Sequence, residues 1–394
     1  MLMTCLRRGA FPAAMLLAAT AGAVAAPRVP THDAEVLERV RPANDPTARD
    51  LRDLTRRLRA NPSDQAVALD LARRHLVIAR TTSDPRHVGY AEAALAPWLG
   101  LPDPPTAVRL LRATMRQSRH EFDPALADLD AVLEAMPGNA QALLTRATIR
   151  LVRADLPGAA RDCVALARRA SALVATTCQA AVDAVSGQAR RAADALERAL
   201  MAAGTADPAS VRAWALTVQA ETFARLGDAA AAEARFRAAL ELDPDDVYTR
   251  AALADLLLET SRPAQARAVA EHDLRPDALL LRAALAAHAL RAPDADALIA
   301  RLLDRMEDAA RRGDETHLRE AARVRLDLLA EPRRALDLAL SNFATQREPA
   351  DALLLLRAAR AAGQPQAARP ALAWLDATGI DDAAISAAAL ALRP

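Results

Sequence analysis

The 394-residue chain contains no lysine. All 51 of its basic side chains are arginine, set against 50 Asp and Glu. The formal net charge of +1 leaves no field that would draw the molecule onto nucleic acid or anionic lipid. Aromatic residues make up 3% while hydrophobic residues make up 52%, so the apolar content is mostly Ala and Leu. The β-branched and aromatic runs that build a sheet are missing. Glycine, at 12 residues, sits mostly between helical stretches, and no Gly-rich loop follows a strand, which removes phosphate cradles and dinucleotide sites. Arginine without lysine, together with the alanine excess, fits the codon bias of a GC-rich genome better than it fits a dedicated anion site.

Reactive groups are equally sparse. The histidines at 32, 75, 87, 120, 272, 288 and 317 form no i, i+4 pair on one helix, no Cys pair has metal-ligand spacing, and His120-Glu121 lacks the second His of a zinc-protease motif. No metal and no cofactor is therefore expected. No Ser sits in a strand-to-helix nucleophile turn, and carboxylate neighbours such as Asp128 and Asp130, or Asp245 and Asp246, read as solvated faces and caps. No catalytic residue, and no enzyme, is expected.

The N-terminus has the layout of an export signal. Arg7 and Arg8 precede an apolar stretch from Phe11 to Val24, and Ala23-Val24-Ala25 supplies small residues for a cut between Ala25 and Ala26. The stretch falls short of the ~20 residues that a membrane span needs. Cys5 precedes it, so the lipoprotein pattern is absent. This predicts a signal peptide over 1–25, an extended segment over 26–46, a mature chain with no stable membrane span, and a periplasmic or secreted location in a bacterium. Cleavage leaves Cys163 and Cys178, either a disulfide formed in an oxidising compartment or two buried thiols.

Alanine is not scattered at random. From Ala213 the chain reads AWALTVQAETFARLGDAAAAEARFRAALELDPDD: Ala220 lies midway along one helix, Gly227-Asp228 makes a turn, and Ala232, Phe236 and Ala239 share a face of the next helix before Pro244 ends it. Upstream, the same register gives Ala113, Ala125, Leu129 and Pro137 from Thr106. It gives Ala147, Ala159 and Cys163 from Ala140, and Ala180, Gly187, Ala192, Leu196 and Ala199 from Leu173. Another pair opens at Val247 with Ala254 and Ala266, and looser pairs are drawn over 277–312, 315–346 and 351–378.

This sequence of small, small, large and Pro sites resembles the tetratricopeptide repeat, whose unit is ~34 residues. The resemblance implies an all-α, right-handed superhelical solenoid of about nine antiparallel helix pairs with terminal cap helices. Residues 47–105 form a cap helix and a degenerate pair, 106–270 the well-registered repeats, and 271–394 degenerate pairs with a last cap helix. Stretches such as HVGYAEAALAPWL and ATQREPADALLLL also resemble secreted tetratricopeptide proteins of proteobacteria, a likeness that brings no assigned activity.

Such solenoids bind partners on a concave wall made by the first helix of each pair. The register places Leu110, Gln117, Trp214, Glu221, Arg225, Tyr248, Asp255 and Glu259 on that wall, with Thr114 and Thr148. Trp214 and Tyr248 occupy matching sites one repeat apart and face either the groove or a neighbouring repeat. The family's chaperone-binding members clamp a carboxylate with Lys and Asn, and a chain without Lys departs from that pattern. The reading is an exported, non-enzymatic scaffold for a protein or peptide partner, with no nucleic acid. The alternative is a glycan-associated factor in polysaccharide export or cell-wall metabolism, for which Trp214 would be the stacking platform. Oligomeric state is not fixed by the sequence.

Overall fold

The computed structural model describes residues 45–82, 84–311 and 317–392. The expected signal peptide, its expected cut between Ala25 and Ala26 and nearly all of the segment 26–46 lie outside the described residues. The chain divides into a unit at 1–50 and a unit at 51–394, and it is the second that carries the fold. Among the described residues there are twenty α-helices and no strand, and no helix is long and apolar enough to cross a membrane.

After α1 (Pro46–Ala60) the helices come in nine packed pairs. They are α2 (Gln65–Thr82) with α3 (Arg86–Leu99), α4 (Thr106–Ser118) with α5 (Phe122–Ala135), and α6 (Ala140–Val152) with α7 (Leu156–Leu166). Next come α8 (Ala172–Asp183) with α9 (Ala189–Ala203), α10 (Ala209–Arg225) with α11 (Ala229–Leu242), and α12 (Val247–Glu259) with α13 (Pro263–Ala270). Then α14 (Asp277–Leu290) pairs with α15 (Ala295–Arg311), α16 (Leu318–Arg323) with α17 (Pro332–Thr345), and α18 (Pro349–Ala361) with α19 (Arg369–Thr378). A last helix, α20 (Ala383–Leu390), closes the chain. This is the tetratricopeptide-like solenoid of helix pairs that the register implies. Two details differ from the sequence pattern. Helix α10 starts at Ala209, a turn before Ala213, and α16 runs into a turn of π-helix at Val324–Leu328.

Local chemistry explains the boundaries. Asn139, Asp155, Ser171, Asp228 and Asp382 each accept a hydrogen bond from a first-turn N–H, satisfying a donor that the helix leaves open. Glu348 and Asp351 form a reciprocal capping box on α18. Between the helices of each registered pair, the small residues Ala113 and Ala125, Ala147 and Ala159, Ala180 and Ala192, Ala220 and Ala232, and Ala254 and Ala266 are all buried. They let the two backbones approach, while Leu129, Cys163, Leu196 and Phe236 fill the space toward the next pair. Cys163 on α7 and Cys178 on α8 are joined in a disulfide with their Cα atoms 5.5 Å apart. Closing a loop of 15 residues contributes roughly 3 kcal/mol in the chain-entropy account.

The turn inside each of the eight pairs from α4–α5 to α18–α19 repeats a device that the sequence largely conceals. One residue there takes a left-handed backbone: His120, Ala154, Gly187, Gly227, Ser261, Arg291, Ala330 and Gly363, with φ between 51° and 80°. A Cβ is strained in that region, and only three of these eight positions are glycine. At Gly187 a side chain has no room either, because a Cβ would lie 2.7 Å from the carbonyl oxygen of Gly379.

That approach belongs to a larger contact. The solenoid curls until the turns of early pairs meet the loops between late ones. The Arg347 N–H donates to the Val152 carbonyl at 2.8 Å, and Gln346 Nε2 hydrogen-bonds His120 Nδ1 at 3.1 Å. Val185, with Leu151, Ala154 and Leu156, shares an apolar cluster with Phe343, Trp374, Ile380 and Ile385. Gly227 faces Ala383.

Exposed Ala330, at φ 52°, is the simplest test of the turn geometry. Ala330→Gly is expected to raise stability by about 1 kcal/mol, relief of strain outweighing the added freedom of the unfolded chain. Urea unfolding of the two proteins measures this.

Candidate functional site

The first helices of successive pairs touch one another, α4 with α6, α6 with α8, and so on through α10, α12 and α14, and they form a continuous inner wall. The structure does not treat the eight wall residues alike. Leu110 is half-buried against the core of its own repeats. Gln117 is half-buried at the end of α4. Trp214 is half-buried between two apolar clusters, one from α4–α8 and one from α8–α10, so it serves packing between repeats. Asp255 is held in the fold by Arg282 at 2.6 Å and Arg323 at 2.9 Å, bridging α12, α14 and α16. Burial alone would raise its pKa, and the two guanidinium groups outweigh that and hold it below the usual carboxylate range.

Four residues remain on the wall, Tyr248, Glu221 and Arg225 in one group and Glu259 at the far end of α12. Tyr248 is 60% exposed, and its hydroxyl donates to Glu221. Arg225 lies one helical turn from Glu221, with 3.6 Å between the charged groups. Glu259 is exposed, and its side chain makes no hydrogen bond or ion pair among the described residues. Charges at α18 and at the start of α20 reach them: Glu348, itself paired with Arg319, acts on Glu221 and Tyr248, Asp382 and Arg357 act on Glu259, and Arg225 acts on Asp382. Desolvation within this concave space pushes the Glu221 carboxyl up, against the opposing pull of Arg225. Desolvation and then the charge of Asp255 push Glu259 up. The Glu221 charge, followed by burial, holds the Tyr248 phenol well above its ordinary value. The wall thus presents an aromatic ring and carboxylates whose negative charge is incompletely balanced.

Beyond this wall, a buried ionic ladder was missed by reading Asp128 as solvated. Asp128 is buried and accepts from Arg112 and Arg116, both at 2.6 Å. Thirty-four residues on, Asp162 accepts from Arg146 at 2.6 Å and Arg150 at 2.8 Å, the same arrangement one repeat later. The signal was the spacing R-x3-R, then Asp twelve residues on, recurring at the repeat period. Asp130 is exposed, as expected, though paired with Arg146. Asp246 caps α12, and Asp245 is exposed. Asp162→Asn would leave two half-buried guanidinium groups without their shared counter-charge. It is expected to cost about 3 kcal/mol, read as a lowered urea midpoint.

A second unanticipated cluster joins α2 and α3, where His75 Nδ1 and His87 Nδ1 are 2.8 Å apart and the rings pack against Tyr90. Burial first, then the neighbouring His87 ring, lower the His75 pKa from 6.5 to about 4. The unfolded chain takes up this proton near pH 6.5 and the folded chain only near 4, so the contribution of neutral His75 is complete above 6.5 and is lost as pH falls toward 4. The urea midpoint is expected to drop across that window, and His75→Gln to flatten the drop.

No family model and no curated protein matches the chain. Solved structures similar to it include a tetratricopeptide repeat protein from Parabacteroides merdae ATCC 43184, at 14% identity over 79% of this chain and 99% of that one, with a TM-score of 0.39. The Cut9-Hcn1 hetero-tetramer of the APC/C is similar at 14% identity, covering 85% of this chain and 64% of that one, with a TM-score of 0.48. Human IFIT1, as a dimer with m7Gppp-AAAA, is similar at 13% identity over 83% and 84%, with a TM-score of 0.46. Each is a likeness of helix-pair architecture and nothing finer.

Proposed function

We propose that this chain is an exported, non-enzymatic scaffold that binds a protein or peptide partner in the bacterial envelope, through the inner wall around Tyr248. The observation that carries the reading is the pairing of an accessible tyrosine with the unpaired carboxylate of Glu259 on a wall of otherwise packed first helices. An exposed aromatic ring in a concave, charge-bearing setting is a costly surface to maintain, and it is the kind of residue that dominates binding energy when covered. Export rests on Arg7, Arg8 and the apolar stretch to Val24. It also accords with the Cys163–Cys178 disulfide, since such bonds persist in oxidising compartments. The glycan reading loses its platform, because Trp214 is engaged between repeats.

The test is crosslinking and affinity purification of the mature protein from the periplasm of its own host, read by mass spectrometry. A reproducible envelope-protein partner is expected. Tyr248→Ala should weaken that partner by about 2 kcal/mol, close to thirtyfold, with the thermal midpoint unchanged. Repeated recovery of no protein, or retention undiminished by Tyr248→Ala, would overturn the assignment to this wall.

A further inference from the structure

We propose that the outer side of α7 and α9 is a docking surface for an anionic lipid bilayer, with arginines on the headgroup phosphates and Val164 and Met201 entering between the headgroups. The surface lies on second helices, away from the inner wall, so the inference goes beyond the scaffold reading and does not depend on it.

The distribution of ion pairs singles this region out. On the second helices α11 and α13, Arg235, Arg237 and Arg267 are all tied to carboxylates. Between Arg153, paired with Asp123, and Arg225, paired with Glu221, seven arginines follow one another with no ion pair among the described residues. One of them, Arg212, is half-buried on α10. The other six, Arg161, Arg168, Arg169, Arg190, Arg191 and Arg198, are exposed and belong to α7, the turn after it, and α9. Arg191 donates to Gln188 at 2.8 Å, a neutral partner that leaves its charge unbalanced. The acids of this stretch do not offset them: Asp162 and Asp183 are buried, Glu197 is paired with Arg235, and Asp194 alone is exposed and unpaired. Arg190 and Arg191 stand in the first turn of α9, where positive charge opposes the helix dipole and no carboxylate offsets it, so helix stability does not account for them.

The two helices present these charges in one direction. Both pack on α8. On α7 the buried face is Ala159, Cys163 and Leu166, and Arg161 and Val164, with Arg168 just beyond the last turn, fall on the opposite side. On α9 the buried face is Ala192, Ala193 and Leu196, and Arg190, Asp194, Arg198 and Met201 recur along the other side. Each stripe thus carries one large apolar side chain near the C-terminal end of its helix, Val164 at 61% exposure and Met201 at 76%. Met136, exposed beside Glu134, stands just past the end of α5 in the preceding pair, so three consecutive second helices finish in an apolar side chain that the fold leaves uncovered.

Charge of one sign mixed with protruding apolar side chains is the chemistry of an interfacial surface. Guanidinium groups meet lipid phosphates bidentately, and apolar side chains leave water between the headgroups. A bilayer suits this face better than a folded acidic protein does. The six guanidinium groups are spread along two helices without ion pairs to fix them, and a fluid headgroup layer adjusts to such an arrangement, whereas a folded partner needs carboxylates at matching positions. The net charge of +1 is no obstacle, because at a Debye length of about 8 Å a charged surface responds to the side of the molecule that faces it.

The test is co-sedimentation of the mature protein with vesicles of phosphatidylcholine alone, and of phosphatidylcholine carrying about 30% phosphatidylglycerol. Binding to the anionic vesicles and not to the neutral ones is expected, with release as salt is raised. Arg168→Gln, Arg190→Gln and Arg198→Gln together are expected to lower the partition coefficient at least about tenfold. Met201→Ser alone is expected to lower it about threefold. A control chain with Arg333→Gln, Arg360→Gln and Arg369→Gln removes the same charge from exposed, unpaired positions on α17, α18 and α19, and should bind like the parent. None of these six arginines makes an ion pair among the described residues, so the thermal midpoints should match and a lost partition reports on the surface. Equal binding to neutral and anionic vesicles would overturn the proposal. So would undiminished binding by the first triple variant, or an equal loss in the control, which would reduce the effect to net charge. Retention on immobilised polyglutamate with no binding to either vesicle would also overturn it, by putting an acidic chain on this face in place of a bilayer.

Discussion

The close approach of two helices within each pair is the constraint from which the remaining structure follows. It requires residues no larger than alanine where the backbones meet, and the pairs Ala113 and Ala125, Ala147 and Ala159, and Ala220 and Ala232 meet that demand while fully or almost fully buried. A larger side chain there would force the helices apart or off-rotamer, at roughly 1–3 kcal/mol for each intrusion. Once the pairs are thin, each stacks on the next through clusters of larger apolar residues, Phe236 and Leu129 among them. Repeated rotation between stacked pairs then curls the array until the turns of α4–α11 reach the late pairs.

Charge is handled differently on the two faces of these pairs. Between the helices of a pair, Asp128 and Asp162 each sit beneath two arginines, and the guanidinium forks satisfy several acceptor positions of one carboxylate. Across the inner wall, Asp255 is likewise secured by Arg282 and Arg323, but Glu221 and Glu259 are left short of cations. The first arrangement fixes a structure. The second leaves electrostatic strain in a space that water can reach, and this is the more suggestive place for a function to be lodged.

Much of the fold was legible because its determinants are local and periodic. The recurrence of small residues at a period near 34, the Pro and Gly stops and the capping residues are all written along the chain. The left-handed turn was legible only where glycine marks it, at Gly187, Gly227 and Gly363. At Ala154, Ser261 and Ala330 the flanking helices impose the conformation on residues that do not advertise it. Of the wall residues, Tyr248 and Glu259 were placed on an accessible face by register alone. Trp214 was ambiguous, since packing between repeats and exposure to the groove demand the same residue type.

By itself, then, the sequence determined the helix pairs and the order in which they stack, because these depend on side chains close together in the chain. It placed Cys163 and Cys178 on neighbouring helices, within reach of a bond. Only the tertiary structure decided that the Val152 carbonyl meets the Arg347 N–H, that Gly379 lies against Gly187, and that the charges of Glu348 and Asp382 act on Tyr248 and Glu259. Those contacts join residues far apart in the chain and depend on the summed rotation of all the intervening pairs. A small angle per repeat, invisible in any one of them, accumulates until early turns meet late loops.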